Sequence, residues 1–229
     1  NDLKARGSKI RNLIIKSKFP KDFEDEIRRG YKELSQKCGK KNLVVAIRSS
    51  ATAEDLPNAS FAGQQETYLN IKGERNVLKA TKKCIASLFN DRAIVYRVEN
   101  NFEHMKVALS VGVQQMVAVR SRAAGIMFTV DTESGFENAI VISSIYGIGE
   151  NIVQGRVSPD EFTIFKPTMK IIKKKVGTKK EKMVPAFGSK TKNTPVSKED
   201  QERYSITDDE AITLANWGMA IEQHYGHHM

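Results

Sequence analysis

Cysteine is scarce in this chain: Cys38 and Cys84 are the only two. They stand far apart, with neither a CxxC partner nor clustered histidines, which argues against a disulfide framework and against a structural zinc site. Cys84 lies beside Ile85 and Leu88 in a helical pattern and reads as core. Histidine is nearly as rare. Of the four, His224, His227 and His228 crowd the last residues and His104 falls in a polar junction. Without acidic or cysteine partners nearby they read as surface residues rather than metal ligands. Long apolar runs are missing too. Nothing approaches the ~18 residues that a membrane-spanning helix requires. The opening NDLKARGSKIRNLII has no extended apolar stretch and no small-residue cleavage site. These absences argue against a membrane partner and leave the cytoplasm as the expected location.

What is present suffices for a substantial core. The 229 residues, 40% of them hydrophobic, suit one large domain or two small ones. The formal charge of +10 is concentrated in one place: residues 166–192 hold ten lysines against one acid, a local net of +9, leaving +1 for the remainder. Lys173-Lys174-Lys175 and Lys179-Lys180-Glu181-Lys182 contain no arginine and no interleaved aromatic, whereas nucleic-acid surfaces combine phosphate-binding cations with stacking groups. A solvated hairpin is the better reading, and no nucleic-acid partner is expected.

Apolar spacing predicts helices over 8–17 and 20–37, the second behind Pro20 with Phe23, Ile27, Tyr31 and Leu34 at helical spacing. Strands are expected at 43–48 and 67–72. Gly73 precedes a helix with Val77, Leu78, Ile85 and Leu88 on one face, and a further helix from Asp91 carries Ile94, Val95 and Val98. Strands then dominate, near 107–117, 123–130, 138–145, 160–166, 170–176 and 181–185. The last two are expected to form an exposed hairpin around Gly177-Thr178, and residues 186–206 read as a surface loop. Thr207-Asp208-Asp209-Glu210 is a capping-box start for a final amphipathic helix with Ile212, Leu214, Ala215, Met219, Ile221 and Tyr225. The expected class is α+β, with mixed or antiparallel sheets and flanking helices.

Three segments could carry chemistry. The apolar run Leu43 to Ile47 ends in Arg48-Ser49-Ser50 and gives way to nearly twenty small, polar and acidic residues before the next strand; a long connection of this kind is more often functional than accidental. Arg48 offers a planar fork suited to phosphate oxygens, although by itself an arginine there is commoner as a rim salt bridge. Ser49, Ser50, Thr52, Ser60, Gly63 and Thr67 add hydroxyls and a permissive backbone. Glu54 and Asp55 are more readily solvated turn residues than metal ligands, so no metal ligand is assigned. The second segment, Val107 to Val117, ends in Gln-Gln-Met-Val, which could present backbone groups to a purine edge with Met116 on its ring, or be an ordinary strand. The third, Gly147-Ile148-Gly149-Glu150, followed by Ser158-Pro159-Asp160, is a poor dinucleotide motif and reads equally as a tight turn.

Taken together, RSSATAEDLP (48–57), ASFAGQQET (59–67), SLFNDRA (87–93) with Tyr96-Arg97, VQQM (113–116), DTESG (131–135), GIGE (147–150) and SPDEF (158–162) resemble the nucleotide-binding domain of the phosphoenolpyruvate synthase family, which shares an ATP-grasp-type domain with pyruvate phosphate dikinase and the rifampicin phosphotransferases. The similarity runs from about residue 40 to the end. It implies an ATP-grasp-like domain with a helical lead-in (1–40), a phosphate flap, helices and hinge strand (41–117), and a second sheet, lysine-rich hairpin and final helix (118–229). It implies ATP with Mg2+ as cofactors, Arg48 on the phosphates as the catalytic residue, Gly63 and Thr67 in the flap, and Gln114 at the adenine hinge with Gln115, Met116 and Val117 beside it. Arg92 and Arg97, on one helix, either reach this site or brace the flap. The family's reaction converts ATP, pyruvate and water to AMP, phosphoenolpyruvate and phosphate. It runs through a phosphohistidine on a separate domain and a pyruvate-binding domain, the partners expected in the parent chain.

The family's Gly-rich segment with its phosphate-binding lysine, and the carboxylate strand that carries the metal ligands, have no counterpart here. A partial domain cut at both ends, inactive alone, is therefore expected. Apolar surface at the cuts would favour an oligomer. A rifampicin-type phosphotransferase, or a basic binding module with a vestigial site, are the alternatives.

Overall fold

The computed structural model describes residues 2–52, 66–117 and 123–229. The chain divides into two compact units, Asn1–Met116 with Ala186–Lys190, and Val117–Pro185 with Thr191–Met229. Helices and antiparallel sheets together make it α+β, as the sequence predicts.

In the first unit, α1 (Asp2–Lys16) and α2 (Lys21–Lys37) lead into β1 (Val44–Ala51), which lies between β2 (Tyr68–Lys72) and β3 (Leu109–Gln115) in an antiparallel sheet. The β-branched run in β1 turns Val45 and Ile47 onto one face, where they meet Tyr31 of α2, Ile71, and Val77, Ala80 and Cys84 of α3 (Glu74–Ala86). Burying such side chains supplies about 1.5–3 kcal/mol each. The Tyr31 hydroxyl, also buried, donates to the Leu43 carbonyl at 2.7 Å and accepts from the Gly73 amide at 2.9 Å. It thereby ties α2 to the start of β1 and of α3. The next helix, α4 (Asp91–Glu99), departs from its apolar pattern. Ala93 and Arg97 are buried, while Val95 and Val98 stand exposed.

Cys84 is fully buried, as its helical setting predicts. Burial first, and the charge of Glu66 second, push its thiol from an ordinary value of 9.0 up to about 11. The unfolded thiol ionises before the folded one, so this contribution to stability is complete below pH 9 and is lost as pH rises towards 11. Urea titrations across that window should show a steeper loss for wild type than for Cys84→Ala; equal slopes would sink the assignment.

In the second unit, β4 (Ala123–Phe128), β5 (Ala139–Tyr146), β6 (Asp160–Phe165) and β7 (Lys170–Lys175) form an antiparallel sheet in chain order. Ile140 opposes Ile164 and Ile142 opposes Phe162, and Ala211 and Ala215 of α7 (Asp208–Tyr225) complete that core. Thr207 and Glu210 close the predicted capping box, and Gly226 ends the helix at φ 73°.

Two expectations fail in this unit. β7 pairs with β6, not with β8 (Glu181–Ala186), whose partner is β9 (Lys190–Pro195). The segment around Gly177 is no hairpin tip: a Cβ there would lie 2.2 Å from the Ser158 and Pro159 carbonyl oxygens, and Lys179 is fully buried. Nor is 186–206 all loop, since it contains β9 and α6 (Lys198–Gln201). The sequence of β9, KTKNTP, has no apolar alternation to announce a strand. It is held instead by polar contacts, with Asn193 bonded to Glu181 at 3.0 Å and to Asn151 at 3.1 Å; α5 (Glu150–Val153) carries Asn151.

Candidate functional site

Strand alternation determines what the sheet of the first unit shows on the side away from its core. With Val45 and Ile47 inward, Ala46, Arg48 and Ser50 face the other way. Their cross-strand partners on β3 are Gln114, Gly112 and Ser110. The face therefore has hydroxyls at one end, where Ser110 Oγ donates to the Ser50 carbonyl at 3.2 Å. A guanidinium stands opposite a glycine in the middle, and a carboxamide lies at the other end. Arg48 is exposed and, among the described residues, pairs with no carboxylate. An unpaired planar cation on a floor of small residues is suited to a bidentate anion such as a phosphate. Gln114, one dipeptide step further along, supplies both a donor and an acceptor.

The surroundings of this face are well tied. Asn70 of β2, at φ 58°, donates its side-chain amide to the Ala186 and Lys190 carbonyls at 3.1 and 2.6 Å, and the Lys72 amide donates to Ser189 Oγ at 3.1 Å. These bonds hold residues 186–190 against β2. Met116 donates its amide to the Val44 carbonyl at 3.0 Å, and its sulfur accepts from the Asn70 amide at 3.0 Å. Gln115 pairs with Val45, so its side chain goes to the face opposite Gln114; its Oε1 accepts from Cys38 Sγ at 3.2 Å. Val117 is exposed just past the strand, and Thr67 is exposed just before β2. Gly63, Ser60, Glu54 and Asp55 lie outside the described residues.

The helix arginines do different things. Arg92 pairs with Glu66 at 3.3 Å, and Asn90 donates to the same carboxylate at 3.2 Å. Both contacts brace the entry to β2. Arg97 is 1% exposed, donates Nε to His104 Nδ1 at 2.9 Å and stacks its guanidinium over the Phe89 ring at 5.5 Å. Its two terminal nitrogens have no hydrogen-bond partner among the described residues, and burial lowers its pKa.

Glycine and aspartate motifs of the second unit prove to be architectural. Gly147 sits at φ 78°, bridged in parallel to Met183, and a Cβ there would lie 2.4 Å from the Met183 carbonyl oxygen. Gly147→Ala should cost about 2 kcal/mol, measurable as a lowered urea midpoint; an unchanged midpoint would show that the close approach is not needed. Asp160 is fully buried and accepts from Lys179 Nζ, the Gly177 amide, and the Ser205 amide and hydroxyl.

Four of the ten lysines of residues 166–192 are paired. Lys166 pairs with Glu222, Lys174 with Asp208, Lys175 with Glu161 and Lys179 with Asp160. An open concavity lined by Asn216, Met219, Glu222, Gln223, His227 and His228 runs along α7. Burial pushes the Glu222 carboxyl up, but Lys166, Thr129 and His228 hold it below its usual value. Its carboxylate is thus already held by partners of this unit. Among the described residues no three His, Cys, Asp or Glu side chains converge as a metal cage, and no helix is long and apolar enough to cross a membrane.

Over residues 1–229 the sequence matches the family described as "Pyruvate phosphate dikinase, AMP/ATP-binding domain". It is 52% identical to a phosphoenolpyruvate synthase of Aquifex aeolicus over 98% of this chain and 27% of that protein. It is 51% identical to one of Helicobacter pylori over 97% of this chain and 28% of that protein. A phosphoenolpyruvate synthase of Escherichia coli is 46% identical over 99% of this chain and 30% of that protein. The chain thus spans less than a third of the length of each of these relatives.

Proposed function

The chain belongs to the pyruvate phosphate dikinase AMP/ATP-binding domain family, and from that membership we propose that it is the ATP-binding, phosphoryl-donating module of a cytoplasmic phosphoenolpyruvate synthase with an ATP-grasp-like fold. The observation that carries the proposal is local. Arg48 and Gln114 share one face of adjacent strands, a dipeptide step of about 7 Å apart along the strand direction. A phosphate on the guanidinium and a purine near the carboxamide would be joined across that step by a ribose.

In this reading ATP supplies the transferable phosphoryl group. Arg48 orients the phosphates and balances their charge, which is most of what a protein contributes to phosphoryl transfer. Gln114 stands at the base, with Gln115, Met116 and Val117 beside it. Gly63 and Thr67 belong to the flap over the phosphates, and Arg92 acts through Glu66 to fix the strand that follows it. The acceptor histidine and the pyruvate site are assigned to other parts of the parent polypeptide. Among the described residues no three His, Cys, Asp or Glu side chains gather for Mg2+, and its ligands are assigned to other parts of the parent polypeptide. Relatives named as synthases favour pyruvate over rifampicin as the final acceptor. Calorimetric titration of this chain with ATP, with and without Mg2+, tests the module. Saturable heat is expected, and its absence from a folded chain would count against the reading.

A further inference from the structure

We infer that Gly112 is a specificity-determining position of this site: it leaves a bare patch on the sheet, against which the nucleoside part of the ligand lies. The inference rests on the nucleotide reading and adds a residue to it. Gly112 stands in the interior of β3, directly opposite Arg48 and one dipeptide step from Gln114. Glycine is a poor strand residue, weakening the strand by conformational entropy and by the missing side chain.

Among the described residues nothing requires it there. It is not among the glycines with positive φ, and among the described residues a Cβ built on it meets only the Arg48 carbonyl oxygen, at 3.8 Å, an ordinary contact. Compare Gly125 on β4, where a Cβ would come within 2.2 Å of the Ser143 carbonyl oxygen and backbone packing forbids any side chain. A strand glycine with no steric reason of its own marks a place where something outside the sheet approaches closely. On this face the approach comes beside the cation and one dipeptide step from the carboxamide, where the ribose of a nucleotide would lie.

The test is Gly112→Val, with Gly112→Ala as the smaller step, each compared with wild type by thermal unfolding and by titration with ATP and with tripolyphosphate. Both variants should unfold at the wild-type temperature or above it, because a Cβ fits and valine favours strands. Gly112→Val should weaken ATP binding by about tenfold or more, with Gly112→Ala between it and wild type. Tripolyphosphate, which has no nucleoside, should bind wild type and Gly112→Val within about twofold of each other. Unchanged ATP affinity in Gly112→Val would overturn the inference and leave the nucleotide site standing, as would equal loss of both ligands. Failure of Gly112→Val to fold would overturn it too, since a Cβ would then not fit. A folded wild-type chain that ignores ATP would overturn the nucleotide reading and this inference with it.

Discussion

Asp160→Ala should destabilise the second unit by about 3–5 kcal/mol, the usual cost of removing one partner of a buried ion pair. Period-two alternation along β6 turns Asp160 to the same face as Phe162 and Ile164, opposite Ser144 on β5. A carboxylate there has no access to water, so it must be satisfied from within. Its Oδ1 accepts from Lys179 Nζ and from the Gly177 amide at 2.9 Å; its Oδ2 accepts from the Ser205 amide at 2.7 Å and hydroxyl at 2.8 Å. Lys179 is itself fully buried and also donates to the Gly177 carbonyl at 2.9 Å. Removing the carboxylate strands this ammonium and orphans two backbone amides, so the loss exceeds that of any single hydrogen bond.

Lys179→Met should cost less, because the carboxylate keeps three donors. Urea denaturation followed by far-ultraviolet circular dichroism measures both variants. A loss below about 1 kcal/mol for Asp160→Ala would mean that water reaches the pair, and the buried network would have to be abandoned. The double variant Asp160→Leu with Lys179→Met separates charge burial from packing. If it recovers most of the stability, the network serves to select the path of residues 176–180 rather than to strengthen the fold.

Arg48→Ala should weaken ATP binding by about 30-fold, as expected for losing charge-assisted hydrogen bonds to phosphate. The change should leave the melting temperature nearly unmoved, since Arg48 is exposed and braces nothing among the described residues. Arg48→Lys retains the charge without the planar fork and should fall between the two. The loss should shrink as salt is raised, because an exposed cation is screened. Gln114→Ala should cost about five- to tenfold through the base, with little dependence on salt. Isothermal titration of the four proteins at two salt concentrations settles the point. Wild-type affinity in Arg48→Ala would remove the phosphate site from this face.

How legible these features were from sequence follows the range of the interactions that make them. The outward direction of Arg48 was readable, because strand alternation is local and the apolar residues before it identify the inner face. So was the capping box at Thr207 and Glu210, three residues apart. The inward direction of Asp160 also follows from its period-two spacing to Phe162 and Ile164. Gly112 carried a signal too, as a glycine inside a β-branched strand. β9 gave none, since its polar side chains pair with Asn151 and Glu181 rather than with an apolar core.

By itself the sequence determined the α+β class, the family, most of the elements and the residues that β1 turns outward, because propensity, alternation and capping act within a few neighbouring residues. Tertiary structure alone decided that β7 pairs with β6 and β8 with β9, that Arg97 is buried and Val98 is not, and that Lys179 answers Asp160 across a separation of 19 residues. Such pairings are chosen by competition for burial among distant segments. A lysine enters a core only where a folded environment has already placed the carboxylate that neutralises it.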